Sequence, residues 1–575
     1  MNFQFKKHIT AILLASMVFS SCGDSFLNEI NPNKETPATY WVNEANVTKG
    51  LAAMYNPIRR MTWGYYGGYT GILHYQMRAD DMYPTRGEEP SIWEILSFTN
   101  TSNTSNGCWN YLYTGIQLAN EFLYNAPRAS MDQNRLSEML GEAYFLRGFQ
   151  YFRIRTDFNQ GVIRTLPQDA DPVAHGLSSA EDVLERVILD MKEAKERLPK
   201  VRPANERGRV TKGAAIAMLG KAYLWKGEYA LAKAEFEEIM DSYGYDLMDN
   251  YEDNFRDNTK FNKESIWEIN YEAFGDETDA WGSSTGSNAF MGSVIAHYFG
   301  PNLPNNTKDE NPGVCRGGGW YKMQPSPYLI KQFVAEPRPN GSDTKWDKRL
   351  YTTAFMKNSD YNDVAPDEVF YGAFDFDLIY HRTTVEPDKK YAKGEPAYPT
   401  IEGKPGRFLM KKFAVWYNPT GCSMYHNNEG RINNYRIMRF AEVLFLHAEA
   451  SLQLNDTEGA MTDINRIRQR AGLSVKNLSD SESIWEELRN QKLLEFAGEN
   501  VRWDDLVRWY TPEQIKSIMM ERKKDTKVKD GKDQWTGEIE DTQNFSRFEK
   551  KYMYFPIPQS EVDANLNLTQ KEEWR

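Results

Sequence analysis

Residues Leu219 to Met240 read LGKAYLWKGEYALAKAEFEEIM, and this stretch decides the fold. Ile216, Leu219 and Tyr223 recur at spacings of three and four, the apolar stripe of one helix face. Gly227 ends that helix, because glycine accepts the left-handed conformation a C-cap needs. Past the turn, Ala232, Phe236 and Ile239 make a second stripe. Gly220 and Ala232 are small where the two helices meet, so the predicted product is an antiparallel helical hairpin. The succession Leu-Gly, Tyr, Gly, Tyr, Ala, Phe, Ile at these offsets is the pattern of a tetratricopeptide (TPR) unit.

One such unit cannot bury its own faces, so others are expected. Leu140 to Gly148, LGEAYFLRG, repeats LGKAYLWKG with Leu, Gly, Ala, Tyr, a basic residue and Gly at the same offsets. Glu442 to Arg470 supplies a third unit through Leu446, Ala450, Ala460, Ile464 and Ile467, with one extra residue in its turn. Long inserts separate the three units. The helices are therefore read as a frame, and the inserts as the carriers of function.

The N-terminus has Lys6 and Lys7, an apolar run from Ile9 to Phe19, then Ser20-Ser21-Cys22. That is a signal peptide, residues 1–21, with Cys22 placed to become an acylated N-terminus. Residues 22–45 follow as a polar tether with Pro32 and Pro37. No later stretch has eighteen successive apolar residues, so no spanning helix is expected. The formal net charge of -12 and the lack of a basic stripe argue against nucleic acid as a partner. The stretch from Arg522 to Lys532, with Asp interleaved, reads as a solvated loop. Cys108, Cys315 and Cys422 have neither zinc nor thioredoxin spacing, and no metal or cofactor is expected.

Other elements follow from capping and periodicity. Helices are predicted over 46–60, 134–158, 179–198 with Ser179 as N-cap, 481–510 and 512–521. Trp109, Tyr113, Ile116 and Asn120 open a further helix in packing roles. Phe408 to Trp416 is strand-like, and the end is extended around Phe555-Pro556-Ile557-Pro558.

Aromatic residues make up 13% of the chain, with 15 Trp, more than the helices need. Asp80, Asp81, Tyr83, Arg86 and Trp93 stand in a loop-like stretch, Ala79 to Asn100. Trp281, Tyr298 and Trp320 are spaced along a Gly-, Asn- and Ser-rich stretch from Phe274 to Tyr321. Trp faces can stack on sugar rings, and Asp and Arg can each grip neighbouring hydroxyls with two hydrogen bonds. Gly282 to Gly286, GSSTG, spells a nucleophile-elbow motif. Asp276, Glu277 and Asp279 precede it, and Ser287 and Asn288 follow, where an elbow needs a buried strand and a helix. It reads as a loop, and no catalytic residue is assigned.

Five local patterns coincide: FLNEINPNKETPATYW (Phe26 to Trp41), CWNYLYTGIQLANEFL (Cys108 to Leu123), RIMRFAEVLFLHAEA (Arg436 to Ala450), GENVRWDDLVRW (Gly498 to Trp509) and FPIPQSEVDANLNLTQ (Phe555 to Gln570). Together they resemble the SusD/RagB family of Bacteroidetes surface lipoproteins. Arg489-Asn490 departs from the Glu-Arg often found there. The resemblance implies a mostly α body, four TPR units in a superhelix against an irregular, loop-rich C-terminal part with a few short strands. It divides the chain into an N-terminal TPR region (46–250), a loop-rich glycan-binding insert (251–435) and a C-terminal region with a further TPR unit (436–575). It also implies an outer-membrane, cell-surface location and a SusC-like TonB-dependent transporter as partner. The ligand is an oligo- or polysaccharide, and the positions matching the family's aromatic arc are Asp81, Arg86, Trp93, Trp281, Tyr298 and Trp320. A surface glycoside hydrolase and a TPR scaffold that binds only protein are the alternatives.

Overall fold

The computed structural model describes residues 37–61, 78–84, 98–167, 170–171, 173–271, 293, 295, 299, 323–355, 400–401, 404–405, 409–414, 433–522, 527–529, 538–540 and 545–575. Its helices are α1 (Glu44–Met61), α2 (Asn103–Asn125), α3 (Gln133–Phe158), α4 (Ala180–Arg197), α5 (Lys212–Lys226), α6 (Tyr229–Ser242), α7 (Phe440–Gln453), α8 (Thr457–Arg470), α9 (Ser481–Glu495), α10 (Arg502–Trp509) and α11 (Pro512–Arg522). The strands that matter for the site are β1 (Met82–Pro84), β2 (Ser265–Ile269), β3 (Met323–Pro325) and β4 (Tyr435–Arg439).

The opening stretch forms the predicted hairpin, α5 and α6. Thr211 caps α5 by accepting from the Ala214 N–H, and Gly227 ends it in the left-handed region at φ 85°. Gly220 faces Phe236: a Cβ there would lie 2.6 Å from the ring. The related glycine of the first match has another use. Gly148 lies inside α3, where a Cβ would meet Asp190 and Met191 of α4 at 2.9 Å. Small residues thus let α3 and α4 pack closely, although only the later unit turns at its glycine. Ser179 and Asp182 form a full capping box at the start of α4.

Helices α1 to α8 pack each on the next, as four successive pairs, and α9 follows α8. The step from α6 to α7 crosses almost two hundred residues of sequence, yet the two helices are direct neighbours. The TPR units separated in sequence are therefore contiguous in space. One apolar core runs through this stack from Val47 to Leu568. A second gathers Met82, Tyr251, Phe255, Met323, Met410, Trp503 and Phe548 under the insert. Trp109 and Ile116 are buried in the first core, and the Asn120 amide donates to Arg164 O, as their expected packing roles require.

Three expectations change. The helix predicted over 481–510 is two helices, broken at Phe496–Val501, where Gly498 and Asn500 have φ of 76° and 66°. Of the strand-like run from Phe408, Leu409–Met410 pairs with Ala354–Phe355, and residues 415–432 lie outside the described ones. Arg522 is not part of a solvated loop: it closes α11 and reaches a buried carboxylate, Asp80.

Candidate functional site

β1 and β3 flank two of the segments expected to carry ligand-binding aromatics, and they lie side by side. β1 and β3 pair antiparallel, with Met82 opposite Pro325, Tyr83 opposite Gln324 and Pro84 opposite Met323. Residues 85–97 follow directly on β1, and residues 300–322 lead directly into β3. The chain thus departs and returns at adjacent points.

The turn before β1 is anchored from below. Asp80 is fully buried. Arg502 grips it with two bonds, Nε to Oδ1 at 2.7 Å and Nη2 to Oδ2 at 2.9 Å, and Arg522 adds a third contact. Burial pushes the Asp80 carboxyl up, but the two guanidinium groups outweigh it and hold the group well below the usual carboxylate range. Ser326, the residue after β3, donates its N–H to Asp81 O at 2.8 Å and its hydroxyl to Asp80 O at 2.6 Å. The start of β1 and the end of β3 are therefore one unit.

Asp81 does not stand on the surface. It is 0% exposed, and its Oδ2 accepts the Gly498 N–H at 2.9 Å. Burial pushes its carboxyl up to about 6, with the Gly498 N–H opposing and the neighbouring Asp80 charge adding. Its place is in the interior, bonded to the Gly498 backbone, and not at the surface. Arg86, Trp93, Trp281, Tyr298 and Trp320 lie outside the described residues, as do Cys22 and Gly282 to Gly286.

The partner of Asp81 opens a hub. Gly498 has a φ of 76°, the left-handed region that favours glycine, and a Cβ there would press on the end of the Met410 side chain at 2.6 Å. Glu499 takes Arg439 at 2.7 Å and Lys412 at 2.6 Å. Arg439 also reaches Glu495 at 2.7 Å, while Arg349 meets the same Glu495 at 3.2 Å. All of these side chains are buried. Such pairs add little net stability, but each leaves an expensive orphan if a partner is lost, so they favour one arrangement of the segments that carry them. Trp503 is 1% exposed, and the buried Arg78 guanidinium lies 4.9 Å from its ring and 4.8 Å from that of Phe555. Among the described residues no three His, Cys, Asp or Glu side chains are grouped to hold a metal ion.

Residues 263–574 match the family model described as SusD family. The chain belongs to the SusD family. A second model, described as starch-binding associating with outer membrane, matches residues 25–224. The second description names binding, and neither names a reaction. The chain is similar to a SusD-like protein of Bacteroides ovatus, 23% identical over 90% of this chain and 85% of that one. It is also similar to SusD-like protein P25 of Formosa agariphila, 23% identical over 87% of this chain and 89% of that one. Among solved structures it shares its fold with a SusD superfamily protein from Bacteroides vulgatus (TM-score 0.70, 20% identity, 93% of this chain and 100% of that one). Another is surface glycan-binding protein A from Bacteroides thetaiotaomicron in complex with laminarihexaose (TM-score 0.67, 20% identity, 92% and 99%).

In this SusD-family chain the GENVRWDDLVRW run has a contact for nearly every polar residue. Asn500 donates to the Tyr435 hydroxyl at 2.8 Å, and Asp504 takes Arg153 at 3.0 Å. Asp505 takes Lys492 at 2.7 Å, and Arg508 reaches Glu449 at 2.9 Å. The motif is the joint between the TPR stack, the C-terminal part and the root of the β1 segment. The Asp80 clamp on Arg502 and Arg522 escapes sequence reasoning, because its members are more than 400 residues apart.

Proposed function

We propose that this chain is a cell-surface glycan-binding lipoprotein. Anchored through Cys22 after removal of residues 1–21, it captures oligo- or polysaccharide and delivers it to a SusC-like TonB-dependent transporter in the outer membrane. It binds without chemistry. The observation that carries this reading is the β1–β3 pair: the segment holding Arg86 and Trp93 and the segment holding Trp320 are rooted side by side on a buried ionic clamp, and Tyr298 precedes the second of them by a few residues. Trp281 belongs to the same insert. A sugar ring has an apolar CH face and a polar edge, so a shared aromatic platform with a few directional partners suits it. Asp81 supports that platform from beneath. Family membership agrees, as does the fold shared with proteins described as laminarin binding and surface glycan-binding.

Affinity electrophoresis in gels cast with laminarin, starch and other polysaccharides tests the reading. At least one glycan should retard the protein, and incubation with it should release no new reducing ends. Unretarded migration in every gel would point to a protein scaffold, and new reducing ends to a hydrolase.

A further inference from the structure

Where the C-terminal end of α2 and the middles of α3 and α4 meet the segment after α3, the surface opens into a cavity of about 510 Å³. That is within the range of small-ligand pockets, about 300–1,000 Å³. None of its lining residues belongs to β1, β3 or the Gly498 hub. Three large apolar side chains around it stand in solvent: Tyr124 is 42% exposed, Leu166 41% and Leu189 44%. A ligand with an apolar face gains by covering them.

Polar groups alternate with these apolar ones. Thr165 precedes Leu166, and Leu189 stands on α4 between Arg186 and Glu193. The half-buried Arg186 donates Nη2 to Asp190 Oδ1 at 2.6 Å, its one bond among the described residues, out of five N–H donors. The Thr165, Tyr124 and Tyr144 hydroxyls bond to no other described residue. The charges, in contrast, are met. Arg147 and Arg186 share the buried Asp190 at 2.7 and 2.6 Å, and Glu193 pairs with Arg197. Such a wall suits a neutral ligand rather than an ion.

The wall is also built in advance. The Asn120 amide donates to Arg164 O at 3.1 Å and to Leu166 O at 3.3 Å. The Tyr151 hydroxyl donates to Arg164 O at 2.7 Å and accepts the Arg164 N–H at 2.8 Å. Buried side chains of α2 and α3 thus fix residues 164–166. The Arg147 and Arg197 guanidinium groups lie 5.5 and 5.4 Å from the Tyr144 ring centre, and that of Arg128 lies 4.7 Å from the Tyr124 ring centre. A wall held this way loses little freedom when a ligand binds.

We propose that this cavity is a second carbohydrate site, for a neutral oligosaccharide, carried by the TPR stack and separate from the β1–β3 platform. The CH face of a sugar ring covers Tyr124 and the two leucines. Its hydroxyls pair with Arg186, Thr165 and the Tyr144 hydroxyl. An acyl chain would leave those polar groups unmet, and a small ion would leave the leucines in water. The choice of a sugar rests on the glycan-binding reading above.

The test uses the whole protein carrying Trp93→Ala, Trp281→Ala, Tyr298→Ala and Trp320→Ala together, so that the platform is removed and this cavity is read alone. Laminarihexaose, maltohexaose, cellohexaose, xylohexaose and decanoate are titrated into it in turn by calorimetry. At least one of the four oligosaccharides should saturate one site. Adding Tyr124→Ala should weaken that binding about threefold to tenfold, the loss of one stacking contact. Tyr124 is exposed, so this change spares the fold, and a native circular dichroism spectrum checks that. Adding Arg186→Gln should weaken binding by a similar factor, the loss of one hydrogen bond. No saturable heat with any of the four oligosaccharides would overturn the second site, while the platform reading is decided separately by titration of the wild type. Affinity unmoved by both added changes would overturn its placement in this cavity. Saturation by decanoate alone would make the cavity an apolar site and overturn the sugar.

Discussion

The backbone N–H of Gly498 donates to Asp81 Oδ2 at 2.9 Å, joining two residues 417 positions apart in the chain. The bond ties the turn before β1 to the loop between α9 and α10. It also traps a carboxyl that prefers to be neutral. Burial raises Asp81 to about 6 from an ordinary 3.8, so the folded state holds its proton more tightly than the unfolded chain does. This group therefore stabilises the fold most in acid, and the contribution is lost as pH rises through about 6. Asp81→Asn keeps an acceptor for Gly498 and cannot ionise. Its melting temperature relative to wild type should be higher at pH 7.5 than at pH 4.5, by an amount on the order of 2–3 kcal/mol in stability. Parallel profiles for the two proteins would show that Asp81 is not held neutral.

Arg439 is the cation around which Glu499 and Glu495 gather, with Glu264 as a third partner. Arg439→Met should destabilise by about 3–5 kcal/mol, because it leaves buried carboxylates without their counter-charge. Urea unfolding followed by fluorescence measures this. A change within error would mean the carboxylates find other partners at no cost.

Gly220→Leu should destabilise by about 1–3 kcal/mol or more, through overpacking of the α5–α6 hairpin. Even a Cβ would press to 2.6 Å from the Phe236 ring, which is itself fully buried. An unchanged melting temperature would remove the close-packing argument at that site.

The helical frame was legible because its signals are local. Spacings of three and four, Ser179 ahead of α4 and Gly227 after α5 can all be read within one element. The contiguity of α6 and α7 was not, since nothing local tells a helix what lies beyond a long insert. The break at Phe496–Val501 was missed because apolar residues continue through it, and glycine was the one cue. At the candidate site the sequence places Asp81 among ligand contacts, whereas the structure buries it completely. An acid in a loop-like stretch looks like a ligand contact until its partners are known, and here they are Gly498 and Ser326, far along the chain.

Cys22→Ala should leave the fold intact and release the protein from the membrane fraction, because the acyl chains are then absent and burying them supplies the anchoring. Fractionation of cells carrying each form checks this. A variant that still sediments with outer membranes lacking its transporter would show that Cys22 is not the anchor.

The central claim is that the segments rooted on β1 and β3 form one glycan platform. The most direct measurement is calorimetric titration of the cognate glycan into Trp93→Ala, Trp281→Ala, Tyr298→Ala and Trp320→Ala. Each stacking contact should contribute on the order of 1 kcal/mol, and wild-type affinity for a short oligosaccharide should be roughly micromolar to millimolar. The account predicts that at least one of Trp93, Trp281 and Trp320 abolishes binding while the circular dichroism spectrum stays native. Wild-type affinity in all four variants would contradict it.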